Sequence, residues 1–173
     1  HYTDLVRFIT QASPKRVMAI GQKSWLLNLG IDNYDAIQCI VEWEMPDGLL
    51  FSQTLLVNWI DPETSSAMSN QNIKFVGTKG RCEADQKDRG ISFYTDDNQI
   101  EYINPDFCRS YKDNGDKILW KGYGIDSITS FLHDVRDIIK GDKKPIDFEG
   151  LRPTFKESLI STSVIEAVNV SLL

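Results

Sequence analysis

The sequence predicts an α+β fold: an open, mainly antiparallel β-sheet covered by helices on one face. Three features carry that expectation. A long period-two alternation runs from Asp35 to Trp59, broken once by Pro46-Asp47-Gly48. Several short strand-like runs punctuated by turn residues follow it. Helical patterns with start and stop signals lie at both ends of the chain.

Taken in order, Tyr2 to Gln11 places Leu5, Val6, Phe8 and Ile9 at near-helical spacing, and Ala12-Ser13-Pro14 ends the pattern before a proline. Lys15 to Gln22 alternates Val17, Ala19 and Gly21 against Arg16, Met18 and Ile20, as a strand would. Trp25 to Gly30 fits either type. From Asp35 the odd positions read Ile37, Cys39, Val41, Trp43 and Met45. After the Pro46-Asp47-Gly48 turn, Phe51, Leu55, Val57 and Trp59 share a face against Ser52, Thr54 and Asn58. Together these runs predict a β-hairpin. Ile40 and Leu56 fall on its otherwise polar side, which points to partial coverage by a partner.

Asp61 to Gln71 is a loop rich in Ser, Asn and Pro. Short strands are expected at Ile73–Val76, Arg81–Ala84, Gly90–Thr95 and Ile100–Ile103, with turns at Gly77-Thr78-Lys79-Gly80 and Asp96-Asp97-Asn98. Asn104 to Gly115 is expected as a long loop and Lys117 to Lys121 as a last strand. Asp126 is placed to N-cap a helix carrying Ile128, Phe131, Leu132, Val135, Ile138 and Ile139 and ended by Gly141. Thr154-x-x-Glu157 is a capping box opening a final helix with Phe155, Leu159, Val164, Ala167 and Val168 toward the core. A length of 173 residues suits one domain spanning 1–173.

Composition excludes several function classes. Hydrophobic residues make up 41% and charged residues 25%, as in ordinary globular chains. No stretch of ~18 apolar residues exists to span a membrane, and no basic segment followed by an apolar run marks a signal peptide. The net charge is −6 with scattered basic residues, so no nucleic-acid partner is expected. Lys140 to Lys144, interrupted by Asp142, fits a solvated turn. Cys39, Cys82 and Cys108 are odd in number and widely spaced, which fits reduced thiols in a cytoplasmic protein better than a metal or disulfide framework. The opening His1-Tyr2-Thr3-Asp4 already belongs to a patterned segment, so a longer parent chain is expected.

Few residues suggest chemistry. Gly122-Tyr123-Gly124-Ile125-Asp126-Ser127 approaches a phosphate-binding fingerprint, but Ser127 stands at the third glycine and no βαβ unit surrounds it; a strand-to-helix turn is the ordinary explanation. His1 and Asp4, three apart, share one helix face, where an imidazole moves protons near neutral pH and a carboxylate orients it. The same pair would also suit a chain terminus and a carboxylate favoured by the helix dipole. His133 is expected to face solvent. Trp25, Trp43, Trp59 and Trp120 are expected in the core or an interface. The run Asp85, Lys87, Asp88 and Arg89 fits a solvated loop or a contact for a polyhydroxylated ligand. No Ser/His/Asp set or zinc spacing is present.

The order of these pieces resembles the C-terminal domain of the Gfo/Idh/MocA oxidoreductases, the glucose-fructose oxidoreductase and inositol dehydrogenase family. The resemblance runs almost end to end. It covers His1-Tyr2-x-Asp4-Leu5-x-x-Phe8, Val41-Glu42-Trp43 with Gly48, Val76-Gly77-Thr78-Lys79-Gly80 and Gly122-Tyr123. It continues through Phe131-Leu132-x-Asp134-Val135, Arg152-Pro153-Thr154 and Glu166-Ala167-Val168-x-x-Ser171-Leu172.

It implies a glyceraldehyde-3-phosphate dehydrogenase-like C-terminal fold that binds a sugar-like substrate and builds dimers or tetramers through its open sheet face. His1 would be the proton-transfer residue, with Asp4 lining the site and Tyr123 and Arg89 as further candidates for substrate contact. The cofactor, NAD or NADP, would belong to an N-terminal Rossmann domain outside this chain. The chain would then bind no cofactor itself and would not turn over alone. Two rival readings are a non-catalytic assembly domain and an unrelated ligand-binding α+β domain. An Asp four positions upstream of His1 and a Glu-Lys-Pro lysine would separate the first from the enzyme.

Overall fold

The computed structural model describes residues 1–62, 70–86, 90–96, 100–103 (101–103 as backbone alone) and 107–173. The elements are α1 (Tyr2–Thr10), β1 (Ser13–Gln22), α2 (Trp25–Asn28), β2 (Ala36–Glu44), β3 (Leu50–Asn58), β4 (Asn72–Gly77) and β5 (Gly80–Asp85). They continue with β6 (Gly90–Thr95), β7 (Glu101–Ile103), β8 (Arg109–Lys112), β9 (Ile118–Lys121), α3 (Tyr123–Lys140) and α4 (Phe155–Ser171), a 3-10 turn at Pro145–Phe148 preceding the last helix. The class is α+β with antiparallel sheets, as the alternation predicts. Among the described residues the strands pair as three ladders, β1-β2-β3, β4-β5-β6-β7 and β8-β9. They fall into two compact units, one holding α1, β1, α2, β2, β3 and α4, the other β4 to β9 and α3.

In the first unit, β2 pairs with both neighbours over its full length, with Val17 opposite Val41 and Val41 opposite Gln53. The odd positions Cys39, Val41 and Trp43 are buried, as is Ala19, and they meet Val6 of α1 and Val164 of α4 in the core. A residue-by-residue alternation thus fixes the register, because a one-residue slip would expose this whole set. β1 is the outer strand of the ladder, and α4 covers its edge. The Ala19 N–H donates to Ser171 Oγ at 2.9 Å. Tyr34 crosses β1 where a side chain on Gly21 would stand, 2.4 Å from its ring, and its hydroxyl donates to the Leu172 carbonyl at 3.3 Å. An exposed strand edge is thereby closed by side chains and the helix end.

The opposite face of this ladder is open. Met18 lies opposite Ile40, and Gln38 opposite Leu56. Met18, Ile20, Ile40 and Leu56 are all exposed, Leu56 at 65%. Arg16 grips Glu42 with two bonds of 2.9 Å beside them.

Several details correct the sequence reading. Val57 and Trp59 are exposed, and the inward face of β3 carries Gln53 instead. On α4 the capping box forms as expected, with Glu157 N–H donating to Thr154 Oγ1 and the Thr154 N–H to Glu157 Oε2. Yet Phe155 is 94% exposed and Leu159 is exposed too; Val164 is the buried residue, with Ala167 and Val168 half-buried. α4 packs on β1 and α1 and ties to β1 through Ser171 near its end, while residues 155–159 of its first turns are exposed. Trp25, Trp59 and Trp120 are likewise exposed, and Trp43 is the tryptophan that reaches the core.

The ambiguous stretch after β1 is the short helix α2, and a buried carboxylate explains why. Asp35 is 1% exposed. Its side chain accepts from the Leu26 N–H at 2.7 Å and the Trp25 N–H at 2.8 Å, satisfying donors that a helix start leaves free. Its backbone closes the loop, accepting from Trp59 N–H at 2.9 Å and donating to Gln22 at 2.8 Å. One residue thereby joins the end of β1, the start of α2 and the end of β3.

In the second unit, β4 to β7 form an antiparallel meander. The turn at Gly77–Gly80 is as expected, while residues 97–98 of the next turn lie outside the described residues. The predicted loop from Asn104 contains β8, which pairs with β9 from Arg109 opposite Lys121 to Lys112 opposite Ile118. Asp113 makes this hairpin: its Oδ1 accepts from the N–H groups of Gly115 and Lys117 at 2.8 and 3.0 Å. A four-residue strand carries too little alternation to stand out in sequence. α3 begins at Tyr123 with Gly122 as its N-cap, four residues before the expected cap at Asp126; Asp126 lies in the first turn, where the dipole favours a carboxylate. The helix ends at Gly141 as expected. His133 is exposed as predicted. Ile128, Phe131, Leu132 and Ile139 are exposed, contrary to the expected core stripe, and only Val135 and Ile138 of that set are half-buried.

Asp35 gives a pH test. N–H donation from Leu26, then from Trp25 and Ser24, outweighs the cost of burial and holds this carboxyl below its ordinary range. A group depressed in the folded state contributes stability above its unfolded value, near ~4, that is lost as pH falls through the folded one. The resistance of wild type to chemical denaturation should therefore fall below about pH 4, and Asp35→Asn should be less stable at neutral pH with a shallower acid dependence. Superimposable pH profiles for the two proteins would contradict this role.

Candidate functional site

The residues that sequence singles out for proton transfer stand at the start of α1. His1 is its N-cap and makes no side-chain capping bond; its carbonyl accepts from the Leu5 N–H at 2.9 Å. Asp4 lies one turn on, and both residues are exposed. The helix is amphipathic, burying Thr3 and Val6 and turning Asp4 outward. At its far end Gln11 adopts a left-handed conformation, with its N–H on Arg7 O at 2.8 Å and the Arg7 guanidinium bonded to the Gln11 and Ala12 carbonyls.

Two contacts, both absent from the sequence reading, hold this helix. Gln53 is buried under it. Its Oε1 accepts from the Trp43 indole at 3.1 Å, and its Nε2 donates to the Tyr2 carbonyl at 3.4 Å. Gln53 shares its parity with Phe51 and Leu55, so a polar residue on an apolar face was the available signal. On the outer side, the Ser161 hydroxyl of α4 donates to Asp4 Oδ1 at 3.3 Å. A lone serine inside a helix gives no such signal.

The resulting arrangement is an imidazole and a carboxylate on one solvent-facing helical turn, anchored from below by an amide and from the side by a hydroxyl. Such a pair can accept a proton from a hydroxyl group and hydrogen-bond a polyol.

Tyr123 belongs to the second unit. As the first residue of α3, it is half-exposed, with its ring edge-on to Phe107 at 5.2 Å and 80°. Arg89 lies outside the described residues, as do Lys87 and Asp88. The Gly-x-Gly sequence proves to be a packing device. The Phe107 ring sits 2.5 Å from where a Gly124 side chain would begin, and the Gly124 N–H donates to Phe107 O at 3.0 Å. The described strands pair antiparallel, without a βαβ unit around this turn. These residues do not fit a nicotinamide dinucleotide.

A shallow cleft of about 330 Å³ adjoins the β4–β5 turn, but its Arg81 is already stacked on Tyr94 at 4.0 Å and paired with Glu83 at 3.4 Å. Among the described residues no set of three His, Cys, Asp or Glu side chains could hold a metal ion. The three cysteines are unbridged, and burial pushes the Cys39 thiol up. No described helix is long and apolar enough to cross a membrane.

No protein-family model matches the chain, and no curated protein matches it. Solved structures do. A proposed oxidoreductase from Thermotoga maritima superimposes over 99% of this chain with a TM-score of 0.62 and 16% identity. An oxidoreductase from Sinorhizobium meliloti superimposes over 97% with a TM-score of 0.67 and 15% identity. The chain covers 42% and 47% of those proteins, less than half of each. At such identities the likeness establishes the fold: the chain has the α+β architecture found within these two larger proteins.

The packing at Gly124 is testable. Gly124→Ala should force Phe107 aside and cost about 1–3 kcal/mol in denaturant unfolding, as overpacking of a tight contact does. A paired Phe107→Ala should recover part of that loss. An unchanged midpoint in Gly124→Ala would contradict the contact.

Proposed function

We propose that this chain is the substrate-binding part of an oxidoreductase that acts on a secondary alcohol of a sugar or polyol. The observation that carries the reading is the exposed His1–Asp4 turn, held over the core by Gln53 on a fold shared with two proteins described as oxidoreductases. His1 accepts the proton of the substrate hydroxyl, and Asp4 binds and orients the sugar. Tyr123 and Arg89 are further candidates for substrate contact, each considered apart from the His1–Asp4 turn. NAD or NADP is assigned to an N-terminal Rossmann domain of the intact protein, as the family resemblance implies. The open face of β1-β2-β3, with Met18, Ile20, Ile40 and Leu56 exposed, is assigned to dimer or tetramer formation. A cytoplasmic location accords with three unbridged thiols.

The test is turnover by the intact protein with NAD+ or NADP+ and a panel of myo-inositol, D-glucose and related polyols, read as absorbance of reduced nicotinamide. Activity on at least one member is expected, and His1→Ala should reduce kcat about 10²–10⁴-fold, the usual contribution of a general base. No turnover across the panel, or full activity in His1→Ala, would overturn the assignment.

A further inference from the structure

Helix α4 carries a run of hydroxyl side chains, and one of them behaves differently from its neighbours. Ser158, Thr162 and Ser163 donate to carbonyls of their own helix, at Thr154, Ser158 and Ile160, over 3.0, 2.9 and 2.7 Å. This is the ordinary fate of a hydroxyl inside a helix. Ser161 instead donates across to α1, to Asp4 Oδ1 at 3.3 Å. It is half-buried and shares a helical stripe with Val164 and Val168, at spacings of three and seven, on the side of α4 that faces the core. An alanine would pack equally well there, so packing alone does not account for the hydroxyl. Among the described residues this is the one hydrogen bond or ion pair of the Asp4 side chain.

We propose that Ser161 is a positioning residue for Asp4, so that α4 as well as α1 builds the substrate-facing turn. The inference rests on the reading above, in which Asp4 meets a polyol hydroxyl. An aspartate on an exposed helical turn samples several rotamers, and a substrate that needs one of them must bear the cost of fixing it. The Ser161 bond occupies one lone pair of Oδ1 and fixes the plane of the carboxylate, leaving Oδ2 to accept from the substrate. Its effect is preorganisation of a binding group rather than chemistry, so it belongs in KM and not in kcat.

The experiment uses the intact protein, with the polyol from the panel above that it oxidises fastest and, in parallel, ¹³C-labelled protein in which the Asp4 carboxyl resonance is followed. Ser161→Ala should fold normally by circular dichroism and raise KM about three- to tenfold with kcat within about twofold, the scale of one hydrogen bond at a partly exposed site. The Asp4 carboxyl resonance should shift in the same variant. Ser161→Thr, which keeps the hydroxyl, should restore both. In an Asp4→Asn background, Ser161→Ala should add little, because the group it positions is already changed. If Asp4→Asn raises KM while Ser161→Ala leaves it unchanged, the positioning role is overturned and the assignment of Asp4 stands. If Asp4→Asn itself leaves KM unchanged, Asp4 is not a binding group and both fail. An unmoved Asp4 resonance in Ser161→Ala overturns the contact irrespective of substrate.

Discussion

A buried amide, Gln53, joins the core of the first unit to the helical turn that carries His1 and Asp4. Its oxygen takes the indole N–H of Trp43, and its nitrogen reaches the Tyr2 carbonyl at the start of α1. Both partners have few alternatives. Trp43 is fully buried, so its N–H must find an acceptor inside the protein, and an unmade bond there would cost about 1–3 kcal/mol. The first turn of α1 has no side-chain cap to define where it begins. Gln53 supplies a fixed point for both, and the position of His1 and Asp4 over the sheet follows from it.

The rest of the unit is arranged around the same sheet by similar single-residue ties. Asp35 closes the loop between β1 and β2 by gathering donors from α2 and a backbone bond from the end of β3. Ser171 and Tyr34 seal the outer edge of β1 with the end of α4. Each tie is a directional hydrogen bond that is at least partly buried, and each restricts the backbone more than an apolar contact of equal area would. The side of the sheet away from the helices carries, among the described residues, the Arg16–Glu42 and Lys15–Glu44 ion pairs and a group of exposed apolar side chains. The contrast between a locked face and an open one is what makes assembly through the open face a coherent proposal.

Much of this was legible in the sequence where periodicity and punctuation agree. The alternation from Ile37 to Trp43, the Met45–Gly48 turn, the Thr154–Glu157 capping box and the Gly141 stop all stand where local chemistry places them, because each is decided by neighbours in sequence. The failures have a common physical cause. The strand Arg109–Lys112 depends on a hairpin partner and an Asp113 turn that its own four residues do not announce. The expected inward stripes on α3 and on the first turns of α4 depend on what those helices pack against, which periodicity cannot supply. For the candidate site, the residue types at His1 and Asp4 were readable, while Gln53 and Ser161 were not singled out. Their roles arise from contacts 51 and 157 positions away in the chain.

Gln53 is the tie through which the core orders α1. Amide hydrogen exchange on Gln53→Leu tests it most directly, because leucine preserves volume while removing both bonds. In this variant the α1 amides from Leu5 to Thr10 should lose protection by about tenfold or more, the equivalent of one lost bond, while the β2 amides keep theirs. Unchanged protection in α1 would contradict it, and would mean that Val6 and Val164 packing alone holds the helix in place.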